Sequence, residues 1–193
     1  MTFATYFVKL TANYNLRREM NKFFGHLKTV LHHKRLVFLY SIKAGIPLRG
    51  FFHDLSKFSP TEFINGVKYY TNGCHSPTVE ERLNKGYSAA WLHHKGKNKH
   101  HFEYWTELNW RGNMFKAYEM PVKYVKEMFC DRLAATKTYL KDKYTDFAPL
   151  EYYLARDEQR LLHEKTASIL GNALIVLAEN GEKAAFDYLK TLK

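Results

Sequence analysis

The chain has 193 residues, enough for one domain with a sizeable core and tight for two. Hydrophobic residues make up 46% and aromatics 16%, which excludes a disordered chain. The net charge of +11 with neutral histidines favours anionic partners: nucleotides, nucleic acid or an acidic membrane surface.

In chain order, a long helix is expected over residues 16–43, with Gly45 as its left-handed cap and Pro47 opening the next element. Residues 47–57 then read as a short helix that carries His53 and Asp54. Ser59-Pro60-Thr61-Glu62 starts another helix, with Ser59 as cap and Glu62 where a capping box wants it. Ser76-Pro77 repeats that logic and predicts a helix to about His94, followed by a polar loop over 96–100. Residues 101–108 read as a helical turn. Pro121 opens a helix with Val122, Val125, Met128, Phe129, Arg132, Leu133 and Thr136 at three- and four-residue spacing. Pro149 opens one reaching Ala178, with a break near Gly171, and Gly181 separates it from a last helix over 182–192. Alternating strand patterns are almost absent, so the class is all-α. One domain over 1–193 is expected, with a chemical core at about 27–139 and C-terminal helices at 149–193.

Two cysteines, Cys74 and Cys130, make no disulfide framework and are expected as reduced thiols. No apolar run has the length to cross a bilayer, and the start of the chain lacks a secretory pattern. A cytoplasmic protein with no membrane partner is the expectation.

Eight of the ten histidines fall between His32 and His101. His33 has Thr29, Val30, Leu36, Val37 and Tyr40 as helical neighbours and so faces inward, whereas His32 lies on a more mixed face. His53-Asp54 sits among Phe51, Phe52 and Leu55; an ionised Asp in such surroundings needs a partner, and a metal ion supplies one. Lys57 follows three residues after Asp54 and suits a phosphate-sized anion beside the metal. Asp131 shares a helix face with Met128, Ala134 and Ala135, again a carboxylate at close packing. Four more histidines, His93, His94, His100 and His101, crowd into nine residues, and which of them ligate stays open at this level. Lys95, Lys97 and Lys99 between them form a positive rim that would draw in an anionic substrate. Glu62 and Glu103 could orient a ligating histidine, although a helix cap is the expected role of Glu62.

A helix-borne His33, the pair His53-Asp54 in His-Asp-Leu-Ser-Lys, the later His94 and His100-His101, and Asp131 in Cys-Asp-Arg-Leu-Ala-Ala form an ordered set. It resembles the HD-domain superfamily of metal-dependent phosphohydrolases over residues 27–139. The wording His-Asp-Leu-Ser-Lys-Phe-Ser-Pro, with Asn-Lys-His-His-Phe-Glu-Tyr-Trp, is also similar to a bacterial and phage family within that group whose function is unassigned. The resemblance implies an HD-domain-like helical bundle with Mn, Fe, Zn, Co or Mg as cofactor. His33, His53, Asp54 and Asp131 would hold one metal. In a two-metal form Asp54 would bridge to a second ion on His94, His100 and His101.

The activity implied is hydrolysis of a nucleotide or other small phosphate ester by metal-activated water, with Asp54 and Lys57 in catalytic roles and Lys57, Lys95 and Lys97 binding substrate. Two other readings share these residues. Some HD-like proteins resemble inositol oxygenase, whose His-rich di-iron centre activates dioxygen instead. A basic nucleic-acid-binding protein with a structural metal would use the charge of +11, without any zinc-finger spacing to support it.

Overall fold

The computed structural model describes the backbone of residues 3–109, 111–112 and 114–193, and side chains within those ranges from residue 15 on. Helix α1, Phe3–Lys43, runs for 41 residues, roughly 60 Å at the α-helical rise. It starts well before residue 16 because no Pro or Gly interrupts the chain until Gly25. His26, Val30, His33, Val37 and Tyr40 are buried on it, and Ala44 just beyond its end. Their alternating steps of four and three residues make one continuous inward stripe.

That stripe lies against α6, Val122–Leu140, in which every residue from Tyr124 to Cys130 is buried, as are Leu133, Ala134 and Thr138. Behind α6 lies α8, Glu164–Thr191, which contributes Leu170, Leu174, Leu177, Phe186 and Leu189 to the core. Phe186 stacks on Tyr40 of α1 at 5.7 Å between ring centroids and meets Phe129 of α6 edge-on at 5.9 Å. Gly181 interrupts α8 at φ 80°, ψ 176°, a conformation that suits glycine, so the separate last helix read from the sequence is present as the part beyond this kink. Helix α7, Ala148–Ala155, packs Leu150 and Tyr153 onto the same core.

A second layer of short helices covers the other side of α1: α2 Pro47–Phe52, α3 Pro60–Lys68, α4 Pro77–Lys85 and α5 Ala89–Lys97. Gly45 takes the expected left-handed conformation after α1. Ser59 Oγ accepts the Glu62 backbone N–H at 3.4 Å, and Ser88 Oγ accepts that of Trp91 at 3.0 Å. The fold is all-α apart from one antiparallel hairpin, β1 Thr106–Asn109 with β2 Met114–Ala117, in which Thr106 faces Ala117 and Asn109 faces Met114. No helix of the described residues is long and apolar enough to cross a membrane. Both cysteines are free thiols.

Several sequence expectations are corrected. The helix expected over 47–57 stops at Phe52, and His53 and Asp54 occupy a break before a 3-10 turn, Leu55–Phe58. The helix expected from Pro77 to His94 is two helices, because Gly86 at φ 81° caps α4 in the left-handed region. The loop over 96–100 begins later, since α5 reaches Lys97. The turn over 101–108 is a 3-10 turn, Phe102–Trp105, that runs into β1. The helix expected from Pro149 to Ala178 breaks at left-handed Asp157 and resumes at Glu164, whereas Gly171 stays helical.

The approach of α2 to α1 depends on Gly50, where an added Cβ would overlap the Ser41 side chain and come 3.1 Å from Phe38 Cα. Alanine is the better helix former by about 1 kcal/mol, yet here it meets backbone that cannot rotate away. Gly50→Ala is therefore expected to destabilise by about 1–3 kcal/mol, the cost of overpacking, measured as a lower urea midpoint. A variant as stable as the parent would show that α2 is free to lift.

Candidate metal centre

The two layers meet at a cluster of histidines and carboxylates. α1 supplies His33 and α6 supplies Asp131; the break after α2 supplies His53 and Asp54. The last turn of α5 supplies His94, and the turn behind it His100 and His101. His53 ends α2 in extended conformation (φ −54°, ψ 130°), and Asp54 is left-handed at φ 53°, ψ 32°. Asp enters that region more readily than most residues, and a non-glycine held there often marks a functional site. Lys34 of α1 fixes the break by donating to the carbonyls of Phe51 at 2.8 Å and His53 at 2.7 Å. The Lys57 backbone N–H closes the turn on the Asp54 carbonyl at 3.0 Å.

Three groups of side chains each bring potential ligand atoms within 4.8 Å of one another: His33, His53, Asp54 and Asp131; Asp54, His94, His100 and His101; and a smaller one of His53, His100 and Glu127. Asp54 belongs to both four-membered groups, and the smaller one joins a histidine of each to Glu127. Its Oδ2 lies 3.1 Å from His53 Nε2, while its Oδ1 lies 3.5 Å from His94 Nε2 and 3.5 Å from His100 Nε2. The carboxylate thus turns one oxygen to each group.

The Nε2 atoms of His33, His53, His100 and His101 and both Asp54 carboxylate oxygens are buried without a hydrogen-bond partner. Some approaches are short, as between His33 Nε2 and Asp131 Oδ1 at 2.9 Å and between Lys57 Nζ and Asp54 Oδ2 at 2.7 Å. None of these has hydrogen-bond angles, so charge attraction is present while the lone pairs remain unmatched. Each unsatisfied buried polar atom costs about 1–3 kcal/mol. Six of them on one cluster fit a cation better than a packed core.

The opposite ring nitrogens are held from outside. Glu62 accepts from His94 Nδ1 and from His93 Nδ1, each at 2.7 Å. Glu127 accepts from His53 Nδ1 at 3.0 Å, and its Oε2 takes Arg49 Nη2 at 2.6 Å. A carboxylate partner makes each of these nitrogens the proton donor, so that in the neutral ring Nε2 is the one left to accept on the inner side. Asn98 steadies α5 by donating to Ser56 Oγ at 2.7 Å and to the His94 carbonyl at 2.8 Å.

Electrostatics favour a neutral, ligand-ready ring at His33 and His101 and a protonated one at His53, from which an arriving cation would displace a proton. Burial first, then the Lys57 charge, lowers the His33 pKa to about 4, so its imidazole is neutral. Burial and neighbouring His100 and His94 push His101 well below the ordinary value. For His53 burial works the other way from its neighbours and is outweighed by Asp54, Asp131 and Glu127, which raise it well above. Burial likewise opposes, and His53, Lys57 and His94 outweigh it, in holding the Asp54 carboxyl well below the carboxylate range. Glu127 is held at about 2 against burial by hydrogen bonds from His100 and His53.

Of the residues expected from the sequence, His33, His53, Asp54, His94, His100, His101 and Asp131 are brought together. His32 is exposed, and His93, with 28% of its side chain accessible, joins neither group. Lys57 sits against Asp54. Asp131 and Lys57 have side chains 17% and 29% accessible, against 8% or less for His33, His53, Asp54, His94 and His100. With half-buried His101, these two are the more accessible side chains of the cluster. Lys95 is half-buried and Lys97 exposed on α5, and among the described residues no hydrogen bond or ion pair joins them to the centre. The cap role expected for Glu62 is corrected: its backbone N–H is capped by Ser59, but its carboxylate holds two histidines. Glu103 makes no bond to a histidine, and its Oε2 is buried without a partner. Sequence reading missed Glu127 and Arg49. The available signal was Glu127's position one helical turn before Asp131.

No curated protein and no solved structure matches the chain. Residues 22–175, well over half of the sequence and all of the centre, match the family of unknown function DUF5662. The chain belongs to that family.

Proposed function

We propose that the protein is a metal-dependent phosphohydrolase of HD-domain type, acting on a nucleotide or another small phosphate ester. The observation that carries this reading is the set of unmatched buried Nε2 and carboxylate atoms, divided into two groups by one shared Asp54. His33, His53, Asp54 and Asp131 would hold one divalent ion and Asp54, His94, His100 and His101 a second, with Mn, Fe, Zn, Co or Mg as the elements such ligands accept. Bound divalent ions lower the pKa of water toward neutrality and polarise a phosphoryl oxygen.

The remaining work falls to the chain. Glu62 and Glu127 keep the Nδ1 protons of His94 and His53 in place, so that in the neutral rings the inner nitrogens are the ones left to accept. Burial of His33, His53, Asp54, His94 and His100 keeps bulk water from most of the centre, and Lys57 stands at its more accessible side with Asp131. Lys57, raised by Asp54 and Asp131 against the effect of burial, stays charged there and donates to a phosphate oxygen as negative charge builds. In the overall reaction a water oxygen bonds to phosphorus, the ester P–O bond breaks, and the departing alcohol takes up the water's proton.

The test is elemental analysis of protein purified without chelator, followed by a panel of phosphomonoesters and phosphodiesters with Mn. Lys57→Met is expected to retain the metal while losing roughly 100-fold or more in kcat, the scale for one charge-stabilising donor. Absence of phosphate release from every ester by metal-loaded protein would sink the hydrolase reading. The five imidazoles in the two groups support a second reading, a di-iron oxygenase. Oxygen uptake by the iron-loaded form, with no anaerobic phosphate release under Mn, would favour it.

A further inference from the structure

We infer that Glu127 is a positioning residue shared by the two halves of the centre, so that its loss weakens metal binding at both. The inference rests on the two-metal reading above. His53 belongs to the first ligand group and His100 to the second. Glu127 Oε1 lies 3.0 Å from His53 Nδ1 and 3.4 Å from His100 Nδ1. The two rings sit 4.5 Å apart between centroids and are tilted by 41°, so a single oxygen reaches both.

The other oxygen is already taken. Oε2 receives Arg49 Nε at 2.8 Å and Arg49 Nη2 at 2.6 Å. Both donors meet the same oxygen, which anchors Oε2 and leaves Oε1 to the imidazoles. Glu127 is only 1% accessible, and a carboxylate so placed is tolerable only when its partners are complete. Those partners come from three separate places: Arg49 from α2, His53 from the break behind it, and His100 from the turn after α5. Through Glu127 all three are referred to α6, one turn from Asp131.

Glu62 provides the contrast. It holds His94, a member of the second group alone, and His93, which belongs to neither. The two outer carboxylates therefore differ in reach, one serving both halves and the other serving one. Removal of an outer partner lowers metal affinity by about tenfold to hundredfold. That penalty should appear twice for Glu127 and once for Glu62.

The experiment is a titration of metal-free protein with Co2+, followed by calorimetry and by the visible absorption of the ion. Wild type is expected to take up two Co2+ per chain. Glu127→Gln should weaken both binding events by about tenfold to hundredfold and alter the spectrum of both ions. Glu62→Gln should weaken one and leave the other's spectrum unchanged. Arg49→Met, at a partly accessible position, should move both events in the same direction by a smaller factor. Circular dichroism checks that each variant is folded; where Glu127→Gln is not, Arg49→Met decides the matter by whether both events shift. Weakening of a single event, or of neither, in a folded Glu127→Gln variant overturns the inference while wild type with two Co2+ leaves the metal reading intact. Wild type that binds one Co2+ or none overturns the two-metal reading and this inference with it.

Discussion

Asp54→Asn is expected to reduce the metal content from two ions per chain to at most one, and to lower phosphate release by more than the roughly hundredfold that loss of an outer partner causes. The substitution is nearly isosteric, and asparagine accepts the left-handed backbone that Asp54 adopts at φ 53°. What changes is chemistry. The amide nitrogen has no lone pair for an ion, and the negative charge shared by the two groups disappears. Oδ1 faces His94 and His100, and Oδ2 faces His53 and Lys57, so either orientation of the amide spoils one side. Ligand-linked stability gives an independent readout. An ion at a thousandfold excess over its Kd stabilises a native protein by about 4 kcal/mol, so the wild-type Tm should climb with added Mn and that of Asp54→Asn should climb by half as much or less. Full metal stoichiometry in the variant would remove Asp54 from its assigned place.

The largest effect on stability is expected from Phe129→Ala, at about 3–5 kcal/mol. Phe129 is fully buried on α6 at the contact of α1, α6 and α8, with Phe186 edge-on to it at 5.9 Å. Close-packed helices on every side cannot collapse into the space of a benzyl group, so both transfer and cavity costs apply. Against a typical total of about 5–15 kcal/mol this is a large fraction. Glu127 and Asp131 stand two residues to either side of Phe129 and so project from the opposite face of α6. The residue that anchors the helix in the core thus also seats it under the centre. The check is a denaturant midpoint beside that of Leu48→Ala, whose side chain is 74% exposed and whose truncation should be close to neutral. Comparable midpoints for the two would refute the anchoring role of α6.

The inward placement of His33 and Asp131 was legible because each lies on a long helix, where spacing alone assigns a face. His33 falls in the stripe Val30, His33, Val37, and Asp131 lies one turn after Met128 on the segment opened by Pro121. Breaks were less legible. Gly86 inside an apparently continuous helix, and left-handed Asp54 and Asp157, depend on how the following segment packs, and local propensity does not report that. The histidine run from His93 to His101 could not be sorted by sequence either. His93 and His94 are adjacent on α5, and only the position of α3 decides that both reach Glu62 while His94 alone also faces Asp54.

By itself the sequence determined the all-α class, the main helical starts at Pro47, Pro60, Pro77 and Pro121, and the residue types able to hold a divalent ion. These follow from local rules: helical periodicity, capping chemistry and the need of a buried carboxylate for a cationic or hydrogen-bonding partner. Tertiary structure alone decided that one Asp54 faces two groups, that Lys57 sits against Asp54 whereas Lys95 and Lys97 make no bond to the centre, and that Glu127 is tied to histidines 74 and 27 residues away along the chain. Those relations join α1, α2, α5 and α6, and periodicity within one helix carries no information about the direction from which another helix meets it.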